Sequence, residues 1–245
     1  MPKAPQPKIE IQKQFWDQHW KHAEERKVLN PWTERRAQIV LQTIRGLGID
    51  RAKILDFGCG HGWFTERLAD MGEAQGVDLS PEAIAIAKAR RPDLKFVTGN
   101  VYELDLPKSY FDIVASLEVI AHVENQSRYI ERAAQVLKPG GHFIITTGNR
   151  FIMDRLGDLG WHDYPPEHIE NELSRGELKC LLRRQFTILD LRTIIPQGTQ
   201  GFLRLVNSCR LAAMLSLFIA PEALTTVKER LGFGWQMIAL AQKKA

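Results

Sequence analysis

Cysteine is scarce and scattered. Cys59, Cys180 and Cys209 stand far apart, without the paired spacing of a metal site or a disulfide framework. No leader of charged and then apolar residues opens the chain, so the expectation is a reducing, cytoplasmic setting. Long apolar runs are missing too. The stretch at 211–220 falls well short of the ~20 residues that cross a bilayer. It reads as a buried cap helix; Arg204 and Arg210 before it keep open an interfacial helix, with membrane-surface contact through 203–220. A long basic run is also absent, and the formal charge of +4 argues against a dedicated nucleic-acid binder. There is no internal repeat and no low-complexity segment.

What is present is organised around one stretch, Lys53-Ile54-Leu55-Asp56-Phe57-Gly58-Cys59-Gly60-His61-Gly62-Trp63-Phe64. An apolar run of strand character ends on an acid, a glycine-dense turn follows, and a helix opens. Backbone without Cβ admits a ligand closely, and free helix N–H groups favour an anion. A second strand at 74–78 also ends on an acid, Asp78, about twenty residues past the glycines, where a carboxylate suits a pair of ribose hydroxyls. A plain cap of the next helix is the alternative for Asp78. A nicotinamide dehydrogenase would use similar geometry, but Trp63 stands where the third glycine of its fingerprint belongs.

Along the chain, residues 1–8 read as a loose end and 9–22 as a helix whose Phe15, Trp16 and Trp20 share one side. That helix either packs on the domain or shields an active site. A helix is predicted from Thr33, then strands at 52–57, 74–78, 94–98, 111–116 and 142–147, with helices at 82–90 and 124–137 between them. Ser80 and Pro81 form a helix opening, and Pro139-Gly140-Gly141 reads as a stop. This alternation predicts a doubly wound, mostly parallel sheet. A long polar and aromatic loop at 148–173 follows, then a helix capped by Ser174, a strand at 186–195, two helices within 201–231 and a last strand at 235–241.

The ordered motifs Asp56-x-Gly58-x-Gly60-x-Gly62, Gly76-Val77-Asp78-Leu79-Ser80, Phe111-Asp112-Ile113-Val114 and Leu137-Lys138-Pro139-Gly140-Gly141 resemble those of class I S-adenosylmethionine-dependent methyltransferases over about 52–147. The resemblance implies a seven-stranded Rossmann-like sheet with the last strand antiparallel; the organisation expected is an N-terminal tail and aromatic helical flap at 1–30 and a methyltransferase domain at 31–245. A helical insertion would precede the last strand. It also implies S-adenosyl-L-methionine as cofactor and S-adenosyl-L-homocysteine as product. The loop of Asp56, Gly58, Cys59, Gly60, Gly62 and Trp63 would lie against the methionine part, and Asp78 with Leu79 would hold the ribose. Asn100 with Val101 takes the place beside adenine where an Asp is usual, and the backbone of Ser116 and Leu117 would meet the amino group.

Within the class, Ser116-Leu117-Glu118-Val119-Ile120-Ala121-His122-Val123 is similar to the matching stretch of ubiquinone-biosynthesis O-methyltransferases. Several of those have Glu-x-x-Glu-His there, associated with a divalent metal. Ala121 replaces the second acid, and two ligands rarely hold a hard cation, so no metal is expected. An activated methyl needs alignment and exclusion of water, and a hydroxyl acceptor needs a base. His122 leads as that base, with His168 and His162 behind it. His61 shapes the loop. The expected reaction is O-methylation of a small acceptor, apolar or aromatic, in a pocket walled by the aromatic helix, the 148–173 loop and an insertion at 196–233. N- or C-methylation, an RNA or protein acceptor, and a cofactor-binding protein without turnover are the alternatives. Against RNA or protein stands the lack of an Asn-Pro-Pro-Tyr motif or a Pro-Cys pair.

Overall fold

The computed structural model describes residues 9–23, 30–156, 169–198 and 200–244. In chain order the elements are α1 (Ile9–Ala23), α2 (Pro31–Gly46), β1 (Ala52–Phe57), α3 (Trp63–Ala69), β2 (Gly72–Asp78), α4 (Pro81–Arg90), β3 (Lys95–Thr98) and β4 (Phe111–Leu117). A short 3-10 turn, Ile120–His122, leads to α5 (Gln126–Val136), β5 (Leu137–Gly148), α6 (Arg150–Met153), α7 (Arg175–Arg183) and β6 (Phe186–Pro196). Then come α8 (Leu203–Val206), α9 (Cys209–Leu215), α10 (Pro221–Leu231) and β7 (Gly234–Lys243).

The strands form one seven-stranded sheet in the order β3-β2-β1-β4-β5-β7-β6. β1 pairs in parallel with β2 and β4, and β7 runs antiparallel to both β5 and β6, as the resemblance implied. Its central strands β1 and β4 are largely buried because both faces are covered. Leu55, Phe57, Val114, Phe143 and Ile145 pack beneath α5 and α7, with Tyr129, Ala133, Leu178 and Leu182. Their alternating neighbours Ile54, Ile113, Ala115 and Ile144 pack on the other face against Val40, Leu41, Ile44, Phe64 and Leu68 of α2 and α3. Removing a ring such as Phe143, which is fully buried, costs about 3–5 kcal/mol.

Several boundaries differ from the sequence reading, each for a local reason. α2 starts at Pro31 rather than Thr33, because the Asn30 side chain accepts from the Trp32 N–H at 2.9 Å and proline suits the first helical position. α5 starts at Gln126 because Asn125 caps it, the preceding residues forming the 3-10 turn. Pro139-Gly140-Gly141 lies inside β5: Leu137 already pairs with Phe111, and the register shifts before Ile113 meets His142. The first insertion helix is split, with Ser208 capping α9 anew. Nor is 211–220 a buried cap. α9 has no buried residue, and Leu217 and Phe218 beyond it are 77% and 84% exposed. No helix of the described residues is long and apolar enough to cross a membrane. The expected loose end at 1–8 lies outside the described residues.

The chain runs outward from β1 to β2 and β3, then returns to place β4 on the other side of β1. Helices leave a crevice at such a reversal, beyond the carboxyl ends of the strands. The tips of β1, β2 and β4 are Phe57, Asp78 and Leu117, and the site is built there.

Candidate active site

A cavity of about 500 Å³ opens at these strand tips. One end is made by the glycine turn. Gly58 and Cys59 both donate their N–H to the Val77 carbonyl, at 2.8 and 3.0 Å, which ties the turn to β2. Gly58 and Gly60 have φ of +92° and +52°, and a Cβ on Gly60 would meet the Trp20 ring at 2.6 Å. Asp78 closes this end: one carboxylate oxygen accepts from Gly60 N–H at 2.8 Å and the other from Ser80 N–H at 2.9 Å. Burial nevertheless holds its pKa above the ordinary carboxylate value. Asp78 therefore does cap toward the Ser80 helix, and it also lines the cavity. Asp56 is buried and accepts from the Thr65 hydroxyl at 2.7 Å; burial raises its pKa to about 7.

Most of the residues expected on the donor side come together here. Asp56, Gly58, Cys59, Gly60, Trp63, Asp78, Leu79, Asn100, Val101 and Leu117 all line the cavity, as does His61. Two do not. Gly62 caps α3, and a Cβ there would press on Ala87 and Phe96 beneath the loop. Ser116 is fully buried and its Oγ shares a 2.8 Å hydrogen bond with the Tyr129 hydroxyl, which donates to the Phe57 carbonyl. Both support the wall from behind. Asn100 spends its amide oxygen on the Tyr102 N–H at 3.1 Å.

α1 packs on the domain and walls the cavity at once. Asp17 accepts a short hydrogen bond from the Ser80 hydroxyl, and buried Gln12 accepts from Ile169 N–H at 3.2 Å. Trp16 and Trp20 thereby line the cavity, with Trp20 edge-on to His61 at 4.9 Å.

The other end is assembled from distant segments. His122 lines it, and its Nδ1 lies 3.0 Å from the Ile169 carbonyl. A carbonyl can only accept, so Nδ1 carries the proton and Nε2 the lone pair. Burial lowers the His122 pKa, which favours the neutral ring. Trp16 meets it edge-on at 5.2 Å. Glu118 accepts from the Thr146 hydroxyl at 2.7 Å and lies 3.6 Å from the Arg36 guanidinium. Glu172 has its pKa raised to about 8 by burial and by the charges of Glu118 and Glu170. Gln236 of β7, fully buried, completes this wall.

His162 and His168 lie outside the described residues. Ala121, where the second acid would stand, is buried, and among the described residues no group of three or more His, Cys, Asp or Glu could hold a metal. The insertion at 196–233 supplies no described lining residue; α2 takes its expected place through Trp32, Thr33 and Arg36. Arg36, Glu172 and Gln236 escaped the sequence reading. Two of them left a trace, an arginine in the apolar stripe of Val40 and Ile44 and a glutamine inside an apolar strand.

Residues 55–145, from the glycine turn to β5, match the family described as "Methyltransferase domain". A probable S-adenosylmethionine-dependent methyltransferase of Mycolicibacterium smegmatis is 34% identical over 60% of this chain and 56% of its own length. A ubiquinone biosynthesis O-methyltransferase of Azoarcus sp. is 30% identical over 52% of this chain and 63% of its own. This chain spans between half and two thirds of the length of these curated relatives. A solved S-adenosylmethionine-dependent methyltransferase from Mesorhizobium loti superposes with a TM-score of 0.57, covering 80% of this chain and 92% of its own at 23% identity, and shares the fold.

Proposed function

We propose that the chain transfers a methyl group from S-adenosylmethionine to a hydroxyl oxygen of a small molecule. The donor end fits that cofactor. The Asp78 carboxylate is anchored by backbone N–H groups, among them those of Gly60 and Ser80, and its remaining lone-pair capacity suits a pair of ribose hydroxyls. The glycine turn presents backbone where side chains are excluded, and Trp63, Leu79 and Val101 give apolar walls for the rest.

When bound, the cofactor supplies a methyl already activated on a positively charged sulfur. The remaining work falls to the protein. His122 accepts the hydroxyl proton at Nε2, while the Ile169 carbonyl holds its Nδ1–H and stabilises the charged ring that results. Trp16, Trp20 and Trp32 line the cavity and exclude water from it. The observation that carries the hydroxyl reading is His122 itself: a neutral imidazole of fixed tautomer in the wall of the cavity that Asp78 closes. The ubiquinone O-methyltransferase relatives support the same choice.

Calorimetric titration with S-adenosylmethionine, S-adenosylhomocysteine and NAD tests the donor. Binding of the first two and not NAD is expected; NAD binding alone would overturn the proposal. A labelled-methyl acceptor screen then tests the product, with label expected on oxygen. Activity is expected to survive a chelator.

A further inference from the structure

Gln236 poses a chemical question that the donor reading leaves unanswered. Its side chain is fully buried on the cavity wall, yet neither the amide oxygen nor the amide nitrogen has a hydrogen-bond partner. Its cross-strand neighbours cannot help: they are Gly148 of β5, which has no side chain, and Ile194 of β6. A side chain at Gly148 would collide with Met153 and Glu172, so the strand end stays bare beside the amide. Across α2, Arg36 is buried too; one guanidinium nitrogen reaches Glu118, while Nε has no partner. Buried polar groups are costly unless paired, and a pair lining a cavity finds its partners in a ligand.

We propose that Gln236 and Arg36 form the subsite that holds a second polar group of the acceptor, and that this group is neutral and oxygen-bearing, a hydroxyl or a carboxamide. This rests on the methyl-transfer reading only for calling the ligand an acceptor. The donor and acceptor inventory selects the class. Arg36 Nε and the Gln236 amide nitrogen offer N–H groups and the Gln236 oxygen takes one. An ammonium has no lone pair for those donors. A carboxylate has no proton for the amide oxygen, and it would stand near Glu118, Glu170 and Glu172 with only Arg36, already paired, to offset them. A hydroxyl or carboxamide both accepts and donates. Sites that hydrogen-bond a ligand group discriminate strongly against analogues lacking it.

The test is binding, in the presence of S-adenosylhomocysteine, of phenol, resorcinol, meta-hydroxybenzamide, meta-hydroxybenzoate and meta-(aminomethyl)phenol to the full chain and to Gln236→Met and Gln236→Glu. Methionine keeps the length and removes the polar atoms, so Gln236→Met is expected to melt no lower than the parent; Gln236→Glu keeps the shape should methionine not fold. Resorcinol or the benzamide is expected to bind at least about tenfold tighter than phenol, the benzoate and the amine. That preference should shrink to about twofold or less in both variants, with S-adenosylhomocysteine affinity unchanged. A preference that survives the variants, a best ligand that is the benzoate or the amine, or no probe exceeding phenol would overturn the proposal. So would loss of S-adenosylhomocysteine affinity in the variants, which would place Gln236 on the donor side. If the parent shows the preference but does not bind S-adenosylhomocysteine, the methyl-transfer reading fails and the subsite stands.

Discussion

The two ends of the cavity are made in different ways. The donor end draws Asp56, Gly58, Gly60, Trp63, Asp78 and Asn100 from fewer than fifty consecutive residues, and its polar atoms are largely engaged by neighbouring backbone. The acceptor end draws Gln12, Arg36, His122, Glu172 and Gln236 from nearly the whole chain. Some of its polar atoms have no protein partner, and Glu172 is crowded by other acids. A backbone-held end presents one fixed chemistry, suited to a constant ligand. An end of side chains from distant segments can change residue by residue without disturbing the sheet, which suits it to the acceptor side of the proposed transfer.

The sharpest way to break this comparison is at His122. His122→Ala should lower kcat by about 10²–10⁴ with S-adenosylhomocysteine affinity unchanged, because the lost group acts on a proton and not on the donor. Full activity would remove His122 as the base. In the parent chain the proposed activity's kcat/KM should fall as pH drops through the His122 pKa, since the base must be unprotonated. Burial lowers that pKa, so the acid limb is expected below the ordinary histidine range.

Asp78→Asn works on the other end. It keeps the shape and removes the charge, and hydrogen bonds to charged groups are worth about 1.5–3 kcal/mol, so S-adenosylhomocysteine affinity should fall about 100-fold in calorimetry. An unchanged affinity would separate the glycine turn from donor binding.

Glu172 sharpens the comparison through stability. Its folded pKa, raised to about 8, lies above that of an unfolded carboxyl, so the folded state holds a proton that the unfolded state releases. That contribution is fully present below the unfolded pKa and is lost as pH rises toward 8, at up to about 1.4 kcal/mol per pH unit. Glu172→Gln lacks the titration, so the variant should gain on the parent in melting temperature between pH 5 and pH 8. A difference that does not vary with pH would show the acid ionised throughout. Smallest of all, Phe218→Ser on the exposed tip of the insertion should change stability within about 0.5 kcal/mol and leave S-adenosylhomocysteine affinity alone. A marked loss of affinity would return that segment to the cavity wall.

The donor end was legible because its signals are local. A strand, an acid, alternating glycines and a second acid recur at spacings that backbone geometry imposes, and Ser80-Pro81 marks a helix start by its own chemistry. Asn125 was missed as a cap because its effect shows only when the Arg128 N–H reaches its side chain. The apolar 211–220 stretch misled for the opposite reason: hydrophobicity indicates what could be buried and not what covers it.

Read alone, then, the sequence determined the alternating elements, the glycine turn and the acids Asp56 and Asp78 near the ends of two neighbouring strands, all consequences of short-range backbone and side-chain chemistry. Tertiary structure decided which distant residues share the cavity. The antiparallel entry of β7 between β5 and β6 sets Gln236 opposite Gly148, and the docking of α1 on Ser80 and Ile169 brings Trp16 to His122. Such meetings depend on how the sheet closes and how helices cover it, contacts between residues far apart in the chain that no local spacing encodes.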